Sequence, residues 1–252
     1  MMRFASLGSG SRGNAMVVES GATRLLVDCG FGPRQLAQRL ARLGLRAEHL
    51  DAILVTHEHS DHAGGVAAVA ERHGLPVYMT HGTQSATACG SAATLFDSHV
   101  AFAVGDFEVH PFPVPHDARE PVQFVLSDGR HRCGLLTDIG HVTSHVLAML
   151  ADCDALVLEC NHDSGMLARG PYPYPLKQRI AGPFGHLDND AAAALLRRIA
   201  HDRLQHVVCA HLSEENNRPE LARAALAAAL GGTPDGIVAA DQDNGFGWLA
   251  LG

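Results

Sequence analysis

The stretch VTHEHSDHAGG, Val55 to Gly65, follows the apolar run DAILV and contains three histidines and two carboxylates within six positions. In an extended segment, residues i and i+2 project to the same side, so His57 and His59 can bind one ion. Asp61 and His62 lie where the chain turns toward the helical pattern AGGVAAVAERHG, so they face a second position. Imidazole and carboxylate ligands favour zinc, manganese or iron over calcium. The segment predicts a metal site at the end of a buried strand.

Other apolar runs of the sequence also end in a histidine or an aspartate. If these ends lie at one edge of the sheets, their side chains converge there, as strand ends do in many active sites. The alternative is that each histidine lies in a solvated loop. The recurrence of the pattern favours a site composed of Asp28, His57, His116, Asp138, His162 and His211.

Composition restricts the class of protein. The chain has 252 residues, 46% of them hydrophobic, and a net charge of −8 with neutral histidines. That charge argues against a broad basic face for duplex DNA, although metal ions and a few local cations can still bind phosphate. Six cysteines without a CxxC pair fit reduced, buried thiols. With no signal peptide evident and no apolar stretch long enough for a membrane span, we expect a cytoplasmic protein without a membrane partner.

The order of apolar and amphipathic segments predicts an α/β fold. Short strand-like runs alternate with amphipathic helical patterns from one end of the chain to the other. No linker, charge block or low-complexity segment interrupts them, so we expect residues 1–252 to form one domain. Residues 166–185, MLARGPYPYPLKQRIAGPFG, lack clear periodicity and contain four prolines, which predicts a loop.

The motif Thr56–Gly65 resembles THxHxDHxGG of the metallo-β-lactamase fold superfamily, and VPHDAREPVQF, LLTDIGH and CAHLSEENN are similar to its later motifs, in order. The resemblance covers essentially the whole chain. It implies a four-layer αββα sandwich with two divalent metal ions at one edge, zinc being favoured and manganese or iron being alternatives. The implied ligands are His57, His59 and His116 for the first ion, Asp61, His62 and His211 for the second, and Asp138 as the bridge. Asp28 would orient ligands, and Asp61 also counts as catalytic.

Segments that flank these motifs are similar to the WalJ/YycJ-like branch, which is related to ribonuclease Z and other nucleases of the superfamily. The similar segments are GSGSRGN, HDAREPV, ECNHDSGML, GPYPYPLKQRI, GHLDND and HLSEENN. The resemblance implies that His186, just before a predicted helix, is the proton donor. Asp188 would cap that helix where related sequences often have Ser. The long inserted arm with which ribonuclease Z holds tRNA has no counterpart, so tRNA processing is not expected.

Further residues are candidates for substrate contacts or proton transfer. His162 could line the cleft or assist proton transfer, or be a structural histidine bonded to backbone. Ser9, Ser11 and Asn14 lie in a Gly-rich turn that could hold a phosphate or could be a plain hairpin turn. Cationic and aromatic residues of the predicted loop could meet the backbone or bases of a nucleic acid, or could be ordinary surface: Arg169, Tyr172, Tyr174, Lys177 and Arg179.

The leading hypothesis is a dinuclear metal-dependent phosphodiesterase that acts on nucleic acid, at single strands or ends. Two ions roughly 3.5–4 Å apart would activate a bridging hydroxide for in-line attack on phosphorus, with His186 as the acid at the leaving oxygen. The alternative enzyme is a glyoxalase-II-like hydrolase of small thioesters or lactones. A third hypothesis is a metal-containing binding module without catalysis. The unbroken ligand set argues against the third.

Overall fold

The computed structural model describes residues 1–87, 89 and 93–252, which contain two seven-stranded sheets. The first sheet is formed by β1 (Arg3–Gly8), β2 (Ala15–Ser20), β3 (Thr23–Val27), β4 (Ala52–Leu54), β5 (Val77–Met79), β6 (Ala93–Leu95) and β14 (Phe246–Ala250). The second sheet is formed by β7 (Phe102–Val104), β8 (Phe107–Pro113), β9 (Val122–Ser127), β10 (Arg132–Leu136), β11 (Ala155–Glu159), β12 (His206–Ala210) and β13 (Ile237–Ala239).

Both sheets are mixed. The first has the order β14-β1-β2-β3-β4-β5-β6, antiparallel up to the β2–β3 pair and parallel from β3 onward. The second has the order β13-β12-β11-β10-β9-β8-β7, parallel from β13 to β10 and antiparallel from there to β7. Parallel pairs require crossover connections, which the amphipathic helices supply.

The helices lie in both outer layers. They are α1 (Pro33–Ala41), α2 (Ser60–Ala63), α3 (Val66–His73), α4 (His81–Ala86), α5 (Ser144–Leu150), α6 (Ser164–Arg169), α7 (Tyr174–Ile180), α8 (Asn189–Ile199) and α9 (Pro219–Ala229). Five amphipathic stretches of the sequence predict helices, and each contains one, α1, α3, α5, α8 and α9 in order: PRQLAQRLARLG, AGGVAAVAERHG, SHVLAMLAD, NDAAAALLRRIAHD and PELARAALAAALGG. Among the residues that the structure describes, no helix is both long and apolar enough to cross a membrane.

Within the described residues, three apolar clusters hold the layers together. The central one lies between the sheets and includes Phe4 and Leu25 from the first sheet and Phe124 and Val157 from the second. One outer cluster packs α1 and α3 on the first sheet, and the other packs α5, α8 and α9 on the second. The order of layers is therefore helix, sheet, sheet, helix, which confirms the predicted αββα sandwich.

The prediction of a loop for residues 166–185 was wrong. This segment contains the end of α6 and all of α7, and two of its four prolines occupy positions that a helix tolerates. Pro173 is the N-cap of α7 and Pro175 lies in its first turn. Proline is tolerated at such positions because the first amides of a helix have no intrahelical partner. Two short helices of six and seven residues are too brief to show a clear helical period.

The strand ends that carry polar residues meet at one edge of the sandwich. In the first sheet, β3 and β4 run parallel and end just before Asp28 and Thr56. In the second sheet, β10, β11 and β12 run parallel, so Asp138, Glu159 and His211 emerge on the same side. β8 has the same direction as β10, since each is antiparallel to β9 between them. The topology thus brings both sets of strand ends together.

A close backbone approach fixes the position of the turn after the histidine motif. The amide of Gly65 donates to the carbonyl of Cys29 at 2.8 Å. A Cβ on Gly65 would clash with the carbonyl oxygen of Phe31 and lie 3.0 Å from that of Cys29. Backbone atoms at both contacts leave little room for adjustment, so only glycine fits.

We expect Gly65→Ala to lower the free energy of unfolding by about 1–3 kcal/mol, because overpacking against rigid backbone forces the turn to shift. Gly247→Ala is the matched control, since Gly247 is exposed in β14 and a Cβ added there would meet no described atom within 4 Å beyond its chain neighbours. Urea denaturation followed by circular dichroism measures both variants. Equal unfolding midpoints for Gly65→Ala and the wild type would contradict the packing argument.

Candidate metal centre

The first ligand group consists of three imidazoles. Nitrogen atoms of His57, His59 and His116 all lie within 4.8 Å of one another. His116 Nδ1 lies 3.1 Å from the carbonyl of Gly185 and donates to it, which leaves Nε2 free to act as a ligand. His57 Nε2 is buried without a hydrogen-bond partner among the described residues. Burial and the neighbouring His62 hold the pKa of His57 well below its usual value, so its ring is neutral, as a metal ligand must be.

The second ligand group combines two carboxylates with two imidazoles. Ligand atoms of Asp61, His62, Asp138 and His211 lie within 4.8 Å of one another. Asp138 Oδ2 is 2.5 Å from His62 Nε2, and Asp61 Oδ2 is 3.3 Å from His211 Nε2. Burial opposes a charged His62 ring, yet Asp138, Asp28 and Asp61 together raise its pKa well above the usual value. The raised pKa reflects a proton that His62 shares with these carboxylates. A divalent cation bound here could take the place of that proton.

The donor set fits divalent metal ions. Two adjacent groups of nitrogen and carboxylate oxygen atoms converge at a mostly buried edge, and one ring nitrogen in the first group is unpaired among the described residues. Unpaired buried polar atoms are rare in folded proteins and need a partner. Imidazole and carboxylate together match the ligand preferences of zinc and of similar transition metals.

Asp28 supports both ligand groups without belonging to either. Its carboxylate accepts from the Thr56 amide at 2.8 Å and the Thr56 hydroxyl at 2.9 Å. It also accepts from His62 Nδ1 at 2.8 Å, which turns Nε2 of that ring toward Asp138. Such contacts are those of a residue that orients metal ligands, and this role of Asp28 stays a prediction.

Three residues of the site have left-handed backbone. Asp28, Asp138 and His211 have φ values of 59°, 55° and 54°, in a region that residues other than glycine rarely adopt. Each follows the end of a strand and turns its side chain toward the shared edge. Such strain persists only where the surroundings enforce it, and it is often found at functional sites.

His186 lies beside the ligand groups and is held by a buried glutamate. His186 Nδ1 is 2.7 Å from Glu159 Oε1 and 3.1 Å from Asp138 Oδ1. Burial opposes protonation of His186, but Glu159 and Asp138 raise its pKa to about 11. The ring stacks on His211 with 5.4 Å between centroids. An imidazolium at this position could donate a proton.

Glu159 is a site residue that the sequence analysis missed. It is fully buried and accepts from the amides of Ile139 at 2.9 Å and Leu187 at 3.1 Å. Burial opposes its ionisation, but His186 and His211 lower its pKa to about 2. Asp138, Glu159, His186 and His211 also form a third group of possible ligand atoms, which overlaps the second. A glutamate inside the apolar run ALVLEC was the available signal, since a buried carboxylate needs partners.

Two of the three candidates in the Gly-rich turn are held by protein contacts. The Ser9 hydroxyl accepts from the His211 amide at 2.9 Å, and the Asn14 side chain contacts Asp61 Oδ2 at 3.2 Å. The turn joins two antiparallel strands, as in the hairpin alternative. Buried Ser9 and Asn14 support the ligand residues, whereas exposed Ser11 lines a cavity of about 200 Å³ beside His186.

The cationic and aromatic candidates surround that cavity and a larger one. Arg179 donates from Nε to Asp117 Oδ2 at 2.6 Å and, like Tyr172, lines the smaller cavity. Lys177 and Tyr174 line the larger one, and Arg169 is exposed near the end of α6.

His162 is buried, and both His162 and His186 line the larger cavity. Asp188 caps α8 by accepting from the Ala191 amide at 2.7 Å, as the sequence predicts.

Known proteins resemble this chain in sequence and fold. Residues 23–211 match the family of the beta-lactamase superfamily domain. The chain is 36% identical to exodeoxyribonuclease YycJ of Bacillus anthracis, over 98% of this chain and 91% of that protein. It is 35% identical to exodeoxyribonuclease WalJ of Streptococcus pneumoniae, over 87% and 85%. The crystal structure of the metallo-beta-lactamase fold protein YhfI from Bacillus subtilis matches with a TM-score of 0.73 at 18% identity, covering 98% of both chains.

We expect His57→Ala and His59→Ala each to lose at least one bound metal ion per chain while remaining folded. A missing ligand weakens a site that the strand ends otherwise hold in place. Asp138→Asn should lose metal as severely, because an amide is a poor bridge between two cations. Elemental analysis after metal loading and desalting gives the stoichiometry, and circular dichroism reports folding. His145, which is not a member of any ligand group, supplies the control His145→Ala. Unchanged metal content in all three variants would rule out this ligand assignment.

Proposed function

We propose that this chain, which belongs to the beta-lactamase superfamily and to its WalJ/YycJ branch, is a metal-dependent hydrolase that cleaves phosphodiester bonds of DNA, at single strands or ends. The observation that carries the proposal is the ring of His186, which is paired with the buried Glu159 and lies beside two adjacent His/Asp ligand groups. The exodeoxyribonuclease names of the two relatives support the same chemistry.

The ligand groups would hold two divalent ions, with zinc as the favoured metal and manganese or iron as alternatives. His57, His59 and His116 would hold one ion, Asp61, His62 and His211 the other, and Asp138 would bridge them. Such ions supply a water of lowered pKa and neutralise charge on the phosphate. Asp28 and Asn14 would keep the ligands in position through their contacts with His62 and Asp61.

His186 would provide the proton for the leaving oxygen. Its Nδ1 faces Glu159 and Asp138, so Nε2 is the atom available to a substrate. The buried Glu159 carboxylate keeps the ring charged and fixes its orientation. An alkoxide is a poor leaving group near neutral pH, and proton donation lowers the barrier to its departure.

Arg179 would bind a non-reacting oxygen of the phosphate or its neighbour. Asp117 holds the Arg179 guanidinium at 2.6 Å and lies 3.5 Å from His116 Nε2. The cation is thus tethered next to the first ligand group, where it can offset the negative charge of the nucleic-acid backbone. Lys177 is a second cation on the same helix, and Ser11 is an exposed hydroxyl across the smaller cavity.

The alternative activities explain fewer of these features. A thioester or lactone hydrolase could use the same metal ligands, but a thiolate departs readily without an acid such as His186. A binding module without catalysis has no need for two ligand groups and the buried Glu159–His186 pair. The nucleic-acid hydrolase is therefore favoured over the glyoxalase-II-like alternative, and the similarity to two exodeoxyribonucleases agrees.

A substrate panel tests the proposed activity. Metal-loaded protein should hydrolyse labelled single-stranded DNA and show far lower activity on thioesters and lactones. The panel includes RNA of the same sequence, which reports the sugar preference. It also includes DNA blocked at each end, which reports whether cleavage starts from an end. Metal removal with a chelator should abolish hydrolysis, and metal addition should restore it. Efficient thioester hydrolysis without DNA cleavage would overturn the proposal.

We expect His186→Ala to slow DNA hydrolysis by roughly 10²–10⁴-fold, the usual contribution of a general acid. A p-nitrophenyl phosphodiester should recover much of the rate, because its leaving group is already acidic. Metal content is measured in parallel, since His186 borders the ligand groups, and His145→Ala is the control. Equal losses on both substrates would indicate a binding or positioning role for His186, and no loss on either would remove it from the mechanism.

A further inference from the structure

A second feature next to His186 is a cavity that the metal chemistry does not require. It has a volume of about 480 Å³ and lies between α6, α7 and the start of α8. Pockets for small molecules have volumes of roughly 300–1,000 Å³. Its walls are largely apolar and include Leu167, Ala168, Ala181, Leu187 and Ala191. The cavity is thus large enough for a ring system and opens beside the candidate proton donor.

Hydrogen bonds fix the walls of this cavity relative to one another. Lys177 Nζ donates to the carbonyl of Ala168 at 2.8 Å and so joins α7 to α6. The His186 amide donates to the carbonyl of Ile180 at 2.8 Å, which ties the end of α7 to the segment before α8. Asp188 accepts from the Ser164 hydroxyl at 2.9 Å and links the starts of α8 and α6. The cavity is therefore a built part of the fold.

One polar side chain in the wall lacks a protein partner. His162 is 2% exposed, and its Nδ1 is buried without a hydrogen bond to any residue in the described part of the chain. The His162 ring also lines the cavity, so it offers an imidazole edge to an occupant with a matching polar edge. His162 is not a member of any of the three ligand groups at the metal centre.

The cations that line the cavity, His186 and Lys177, suit a phosphate attached to the occupant, whereas the apolar wall suits an uncharged group. The ammonium of Lys177 is bonded to the Ala168 carbonyl, and the carboxylate of Asp188 is on the opposite wall. Tyr174 lines the cavity and is 71% exposed, so its ring is accessible to a second aromatic ring. Apolar walls, an accessible phenol ring and one unpaired imidazole suit a flat, uncharged ring with hydrogen-bonding edges. Among the parts of a nucleotide, only the base has that chemistry.

We propose that this cavity binds the unpaired base of the nucleotide next to the scissile phosphate, with His162 contacting the edge of the base. This inference rests on the proposed nuclease function. His186 lines both this cavity and the smaller one that contains Arg179. A base seated between α6 and α8 therefore positions its own phosphate beside His186. Because the base must be unstacked and unpaired to enter, the pocket selects single strands or frayed ends over duplex.

Equilibrium binding tests the pocket independently of hydrolysis. The probe is 2-aminopurine deoxyribonucleoside monophosphate, followed by its fluorescence, with base-free deoxyribose phosphate as the competitor. Ala168→Trp fills the cavity and should weaken binding of the probe by about tenfold or more, as expected for loss of a stacked base. Ala224→Trp is the matched control, since Ala224 belongs to α9 and lies outside the cavity. His162→Phe keeps the ring shape and should weaken binding by a smaller factor of about three to tenfold.

A kinetic experiment connects the pocket to the reaction. The substrates are single-stranded DNA that ends in an abasic nucleotide and the same DNA with a normal terminal nucleotide. Wild-type protein should cleave the abasic DNA with a kcat/KM that is about tenfold lower. The ratio of kcat/KM for normal DNA to kcat/KM for abasic DNA should fall toward one in Ala168→Trp. In Ala224→Trp the same ratio should stay unchanged. Abasic residues are tested at each end in turn, so the polarity of cleavage does not have to be known.

The two experiments separate failure of the pocket from failure of the nuclease function. Equal affinity of wild-type protein for the probe and for base-free sugar phosphate would overturn the base pocket, whatever the cleavage assay gives. Probe binding that Ala168→Trp leaves unchanged would also overturn it. Selective binding of the probe without cleavage of any nucleic acid would support a nucleotide pocket and overturn the nuclease function.

Discussion

The buried carboxylate of Asp28 is the interaction on which the arrangement of the site depends. It joins the end of β3 to the segment after β4 through the amide and hydroxyl of Thr56, and it orients the ring of His62. Asp28 is 4% exposed and has left-handed backbone, so folding must supply partners for it. Those partners are the residues that begin the histidine motif. Core packing and ligand geometry are thus stabilised by the same contacts.

The second sheet also contains a buried carboxylate that orients an imidazole ring. Glu159 is fully buried at the end of β11, accepts from two backbone amides and holds the ring of His186. Each sheet therefore supplies one buried carboxylate that orients one imidazole at the shared edge. Asp138 and His211 lie between these two pairs, in contact with both. Small shifts between the sheets would displace the candidate ligands and His186 together, and the close-packed apolar core between the sheets resists such shifts.

The surface around the metal centre combines local cations with an overall acidic chain. A net charge of −8 gives no broad attraction to nucleic acid, so the affinity that the proposed function requires would have to come from bound metal ions, Arg179 and the pockets. Asp117 places Arg179 next to the first ligand group, and α7 separates the smaller cavity from the apolar one. A substrate that extends one phosphate and one base into these cavities fits this distribution better than a duplex that lies across a flat face.

The sequence by itself determined the ligand types and the alternation of strands and helices, because the motif HEHSDH and the polar strand ends are local patterns. It also indicated the direction in which those ends point, since parallel strands share one edge. Only the tertiary structure revealed that Glu159 holds His186, that residues 166–185 contain the end of α6 and all of α7, and that α6, α7 and α8 line a cavity beside His162. These features depend on contacts between segments far apart in the chain. A single buried glutamate or a helix of seven residues has no periodic signal, so its role is decided by what packs against it.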